Sequence, residues 1–283
     1  MRLYDDYNYR NVYTNRIKET REDEIENLRD SKKLRYTYMK KTIISGNVVE
    51  SEIYPIWKCR SDIPRISIGE SREAQKNLND KNAKKKIVRL VNTNFTKDDL
   101  MITLSYTNNH LPKEEEAKRD IENYIRRLKR RRKKEGLPEL KYLYVIEYVN
   151  DPNVSKKIRV HHHIIINKMD RDIAESVWKK GRTDSMRLQP DDFGLTGIAK
   201  YVAKGLIQGR RWSYSKNLKK PIITRDRTKL TKRKVEKIAK RPDEYQEFFE
   251  IIYKGKYEYK DCEALYSDRV TGFYLYARMK KLE

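Results

Sequence analysis

Three of the four histidines stand in a row, within Arg159-Val160-His161-His162-His163-Ile164-Ile165-Ile166. The β-branched run that follows them reads as a strand. Alternation along a strand puts His161 and His163 on one face and His162 on the other. Two imidazoles at that spacing can chelate one metal ion, and a third ligand must come from elsewhere. Glu147, near the end of the preceding apolar run, is the best candidate because a hairpin would lay it alongside. Its face depends on a register that the sequence does not give. Competing metal motifs fail locally: a cupin-type site wants a carboxylate a few residues downstream, where Ile164-Ile165-Ile166-Asn167 stand, and no Asp follows His163 as HxHxDH requires. The alternative is a strand with structural histidines.

A second chemical feature is Gly197-Ile198-Ala199-Lys200-Tyr201-Val202-Ala203-Lys204-Gly205-Leu206. On a helix of ~100° per residue, Ile198, Ala199, Val202, Ala203 and Leu206 form one apolar arc. Tyr201 and Lys204 lie off that arc and share a face, three residues apart. A phenol with a cation beside it is a candidate nucleophile. The alternative is a surface tyrosine, common in a chain with 21 of them.

The elements that must carry these groups follow from patterning. Leu100–Tyr106 reads as a strand ending in the polar Thr107-Asn108-Asn109-His110. Pro112 opens a helix to about Glu135 with a core stripe of Ala117, Ile121, Tyr124, Ile125 and Leu128. Its end is a basic run, Arg126, Arg127, Lys129, Arg130, Arg131, Arg132, Lys133 and Lys134. The run exceeds what capping needs, so we read Arg126 to Arg132 as phosphate contacts, against the alternative of a solvated face. Tyr142–Tyr148 and Arg159–Asn167 form a long hairpin. Asp170 or Asp172 caps a short helix to Lys180, and the tyrosine helix runs from about Gly197 to Ile207. Upstream, Arg35–Ile44 and Val48–Tyr54 flank Ser45-Gly46-Asn47 as a hairpin, and a helix covers Ser71 to Val91. The expected class is α+β, a central antiparallel sheet with helices on one face and the other open to ligand. The expected domains are an N-terminal extension over 1–70, a catalytic domain over 71–224 and a C-terminal helical and β extension over 225–283.

Composition narrows the substrate. Lys plus Arg is 66 against 42 Asp plus Glu, a net charge of +24, which favours a polyanionic partner over small neutral substrates. No window holds the ~18 apolar residues of a spanning helix, and the N-terminus has no apolar signal run. The expectation is a cytoplasmic nucleic-acid-binding protein with no membrane partner. Cys59 and Cys262 belong to no CxxC pair, so neither a zinc finger nor a disulfide is expected.

Taken in order, Leu100–Tyr106, Glu147-Tyr148, Arg159–His163, Tyr201–Lys204 and Tyr214-Ser215-Lys216-Asn217-Leu218-Lys219-Lys220-Pro221 resemble the motifs of HUH replication initiators of rolling-circle phages and plasmids, in particular their single-tyrosine, phage-type members. The resemblance covers residues 70 to 222. It implies a five-stranded antiparallel sheet related to RNA-recognition domains, with the histidines on a central strand. It also implies Tyr201 as nucleophile with Lys204 beside it, His161, His163 and Glu147 as ligands to Mn²⁺ or Mg²⁺, and Lys216, Asn217, Lys219 and Lys220 as nucleic-acid contacts. The usual middle residue of the motif is apolar or aromatic, so His162 departs from it. The implied activity is nicking and joining of single-stranded DNA at a replication origin in a bacterial host. No G-x-x-x-x-G-K-[ST] occurs, so helicase and polymerase are expected from the host. A transposase or relaxase of the same chemistry, and a noncatalytic single-strand binder, are the alternatives.

Overall fold

The computed structural model describes residues 36–57, 72–109, 111–147, 159–204, 212–267 and 272–282. The polar stretch to residue 30, Cys59, His110, Tyr148, the 148–158 connection and the tyrosine helix beyond Lys204 lie outside them. The chain divides into two compact units, one over Arg72–Lys220, the other from segments either side of it. Both are built on a five-stranded antiparallel sheet carrying helices, an α+β architecture.

The unit over 72–220 contains α1 (Arg72–Asn94), β3 (Leu100–Ser105), α2 (Glu114–Lys134), β4 (Tyr142–Glu147), β5 (His161–Ile166), α3 (Arg171–Ser176), β6 (Thr183–Arg187), α4 (Thr196–Val202) and β7 (Trp212–Tyr214); β1 and β2 precede them in the other unit. Strand order is β6-β3-β5-β4-β7, so the histidine strand is central. The two edge strands escape a sequence reading because β6 is polar and β7 has three residues.

Alternation divides the sheet's side chains between two cores. Leu100, Ile102, Leu104, Tyr144, Ile146, Ile164 and Ile166 pack under α2 and α3, together with Trp178. Met101, Leu143, Val145 and Ile165 pack under α1 and α4. Helices therefore cover both faces, not one, because β3, β4 and β5 carry apolar residues on each. Fully burying a Val, Leu or Ile side chain contributes about 1.5–3 kcal/mol, so both helical layers are held firmly. The α1/α4 face turns polar only at the His161 end, where Thr103, Ser105, Glu147, His161 and His163 replace the apolar residues. Asp170 caps α3, its carboxylate accepting from the Ile173 N–H at 3.0 Å.

The second unit pairs β1 (Tyr36–Ser45) and β2 (Val48–Trp57) with β8 (Ile222–Arg227), β9 (Tyr257–Ser267) and β10 (Gly272–Lys281), in the order β8-β1-β2-β10-β9. The regions flanking residues 72–220 thus share one sheet. Gly46 has φ 62° and Asn47 follows, the residue order of a type II′ hairpin. Two helices, α5 (Lys232–Ala239) and α6 (Tyr245–Tyr253), close over Tyr38, Val49, Ile53, Leu275 and Met279. Cys262 is a free thiol. Among the described residues no helix is long and apolar enough to cross a membrane.

Candidate active site

The β4–β5 register settles the question the sequence left open. Glu147 pairs directly opposite His161, and Val145 opposite His163, so Glu147 shares the face of His161 and His163. The Glu147 carboxylate lies 3.4 Å from each Nε2, and the two Nε2 atoms are 3.1 Å apart. Ligands held ~2.1 Å from one ion on adjacent octahedral or tetrahedral positions are themselves about 3.0–3.4 Å apart, so this donor set fits one divalent cation. The other ring nitrogens are occupied: His161 Nδ1 bonds the Arg159 carbonyl at 2.8 Å and His163 Nδ1 bonds the Thr103 hydroxyl at 3.2 Å. Nδ1–H donation fixes ring orientation and leaves each Nε2 lone pair toward the common point. Glu147, His161 and His163 are together a group that could hold a metal ion.

With protons in place of a cation, the hydrogen bonds of His161 and then His163 hold the Glu147 carboxyl down to about 2. Burial disfavours the charged form of His161, but Glu147 and the Arg159 carbonyl outweigh it and raise its pKa. The site favours positive charge opposite Glu147.

His162 turns the other way and is fully buried among α2 and α3 side chains. Its Nε2 lies 2.9 Å from the Tyr106 hydroxyl, which donates to Asp120 at 3.3 Å, and Lys180 Nζ is 3.5 Å from that carboxylate. Trp178 packs against both rings. Burial, then the neighbouring His161 and His163, push the His162 pKa down to about 3, so it is a neutral ring in a packed relay. That placement explains how a third histidine is accommodated between His161 and His163.

Tyr201 stands beside this donor set. Its ring meets the His163 ring edge-on, centroids 5.3 Å apart, with Ile198, Ala199 and Val202 anchoring α4 in the core. Burial, followed by Glu147 and Asp184, raises its pKa. Helix α4 ends at Val202, earlier than its periodicity suggests, and the Lys204 N–H bonds the Tyr201 carbonyl at 3.1 Å in the following turn. The Lys204 side chain is exposed.

The basic residues chosen from sequence fall elsewhere. Helix α2 lies on the His162 face, and its basic end sits by Pro138, Asn167 and Lys168, roughly 15 Å along the sheet from His163. Arg132, read as a phosphate contact, is buried: its Nε donates to the Pro138 carbonyl at 2.9 Å and its Nη1 to the Asn167 and Lys168 carbonyls at 3.2 and 2.9 Å. It closes the end of β5 and leaves the contact set. Arg131 reaches Glu135 at 3.2 Å and Arg127 is half-buried, while Arg126, Lys129 and Arg130 are exposed. Lys216, Asn217, Lys219 and Lys220 follow β7 at that same distant end. Asn217 donates to the Leu140 carbonyl, and Asn94 clamps the Lys219 backbone from both sides. The expected signature is length-dependent. Neutralising Arg126, Lys129 and Arg130 should flatten the log–log salt dependence of binding by up to ~0.7 for each phosphate no longer neutralised, on long single strands only. An oligonucleotide of about ten nucleotides, covering only the His161 end, should show no change. Equal flattening on both lengths would contradict this placement.

Near the donor set, other residues emerge that sequence reading did not select. The Ser105 N–H bonds the Arg182 carbonyl at 2.9 Å, and the Thr107 N–H bonds the Lys180 carbonyl at 3.2 Å. The glycine between those carbonyls makes the approach possible: a Cβ on Gly181 would collide with the Ser105 carbonyl oxygen and lie 2.7 Å from the Tyr106 Cα. These are backbone atoms that cannot swing away. Gly181→Ala should therefore cost at least about 2 kcal/mol, read as a lowered urea midpoint at unchanged m. An unshifted midpoint would mean the loop moves freely. Thr103 and Arg182 are missed because their relevance depends on strand pairing; Arg159 enters the sequence reading only as part of the histidine motif.

Residues 99–206 match the family model described as replication-associated protein ORF2/gene 2 protein, a span that includes Glu147, the three histidines, Tyr201 and Lys204. No curated protein and no solved structure gives a match.

Proposed function

We propose that the protein initiates rolling-circle replication by nicking and rejoining single-stranded origin DNA through a 5′-phosphotyrosine intermediate on Tyr201. The observation that carries the reading is a tyrosine ring packed on one histidine of a Glu147–His161–His163 donor set, within a stretch similar to a replication-associated family. A cation held by those three groups, Mn²⁺ or Mg²⁺ given mixed N/O ligation, would supply positive charge to the phosphate oxygens.

The chain's own residues do the rest. The Tyr201 oxygen attacks phosphorus and forms a P–O bond. The P–O3′ bond breaks, and its electron pair goes to O3′. The phenol proton leaves to solvent, and the departing oxygen takes up a solvent proton. One phosphodiester replaces another, so the bond is retained for rejoining and the free 3′-OH can prime a host polymerase beside a host helicase. Burial, then Glu147 and Asp184, raise the phenol pKa, so Tyr201 starts protonated and gives up its proton as the P–O bond forms. Lys204, one turn on and exposed, is available to a phosphate oxygen. The test is incubation with pooled single-stranded oligonucleotides and Mn²⁺, then intact-protein and peptide mass spectrometry. The expected product is an oligonucleotide mass on the Tyr201 peptide. Binding without any adduct would leave a noncatalytic single-strand binder.

A further inference from the structure

A cavity of about 690 Å³ opens beside His161, lined among others by Thr107, Asn108, Asn109, Arg159 and Arg182. That volume lies within the range of small-molecule pockets, large enough for one nucleotide. It contains two arginines and, among its described lining residues, no carboxylate. Arg159 Nη1 donates to Asn108 Oδ1 at 2.6 Å, so Asn108 holds the Arg159 guanidinium at the cavity wall. The wall is donor-rich and suited to an anionic or acceptor-bearing ligand. Its floor is the metal face of the sheet, since Thr103, Ser105, Arg159 and His161 alternate onto that side.

Position decides which nucleotide it takes. Along the chain the order is Arg159, just before β5, and His161 at the cavity, then His163 under Tyr201. The nucleophile and the cavity therefore flank the donor set on opposite sides. In-line displacement requires the leaving oxygen to lie across phosphorus from the attacking one. We infer that this cavity seats the nucleotide immediately 5′ of the scissile phosphate, the one whose O3′ departs; this rests on the nicking reading above. An arginine presents paired N–H donors and guanine the paired acceptors O6 and N7, so Arg182 selects guanine there.

The probe is a random-sequence single-stranded DNA pool incubated with Mn²⁺, followed by sequencing of the released fragments that end in 3′-OH. The wild-type protein should enrich guanine at that terminal nucleotide by on the order of tenfold. Arg182→Ala and Asn108→Ala should each flatten the enrichment there and leave preferences on the protein-linked side in place. In a second measurement, in EDTA, fluorescence anisotropy compares an enriched fragment with its 3′-terminal abasic analogue. Wild type should prefer the intact fragment by on the order of tenfold, and both variants should bind the two alike. Terminal bias that survives both substitutions, or equal wild-type affinity for intact and abasic fragments, overturns the pocket while nicking stands. No fragment from any pool sinks the nicking reading itself, and the pocket with it.

Discussion

Tyr201→Phe should abolish covalent attachment and strand cleavage while leaving single-stranded DNA affinity within about twofold, since the stacking surface is kept. The substitution removes one hydroxyl and keeps the ring that packs against His163 and the α1/α4 core. An enzyme that works through a phosphotyrosine has no substitute for that oxygen, so the loss should be complete to the detection limit. Tyr214 is the obvious second suspect from sequence, but its place in the sheet argues against it. It pairs with Leu143, and Glu147 lies four residues further along β4, roughly 13 Å away. Its ring is also stacked on Trp212 at 5.5 Å. The measurement is denaturing gel and mass analysis of wild type and variant on the same labelled oligonucleotide with Mn²⁺. Adducts of undiminished yield on the Phe variant would move the nucleophile elsewhere and remove α4 from the chemistry.

Much of this site was legible because its signals are local. A strand's period of two separates His161 and His163 from His162 without knowledge of any neighbour. A helix's apolar arc leaves Tyr201 outside it in the same way. Glu147 was nameable but not placeable, because its face depends on register across the 148–158 connection. The basic end of α2 shows the converse. Charge is visible in a sequence and direction in space is not, so Arg132 looked like its neighbours until its guanidinium was found closing the carbonyls after β5. The flanking sheet was hidden for another reason: β1 pairs with β8, Lys41 opposite Arg225, and partners that distant leave no local pattern. Arg182 and Asn108 combine both difficulties, since they become neighbours only through the β3–β5 and β3–β6 pairings and the close pass at Gly181.

The three adjacent histidines should give three different phenotypes, and the contrast is the sharpest test of the strand geometry. His161→Ala or His163→Ala removes one of two imidazoles from a donor set that Glu147 completes among the described residues. Either change should lower Mn²⁺ affinity and cut metal-dependent cleavage by orders of magnitude, with little cost in stability for the partly exposed His161. His162→Ala should do the reverse. The ring is fully buried against Trp178, and its Nε2 is the partner of the Tyr106 hydroxyl in the chain to Asp120. Its loss opens a cavity and takes one hydrogen-bond partner from the Tyr106 hydroxyl, which keeps Asp120, about 2–4 kcal/mol together. Below its lowered unfolding temperature the variant should still bind Mn²⁺ and cleave with the same metal dependence. The measurements are thermal unfolding, Mn²⁺ titration and cleavage against Mn²⁺ concentration for the three single variants. Equal catalytic losses at all three positions, or a loss of Mn²⁺ binding confined to His162→Ala, would mean that the segment does not alternate as a strand, and the assignment of Glu147, His161 and His163 as one ligand set would fail with it.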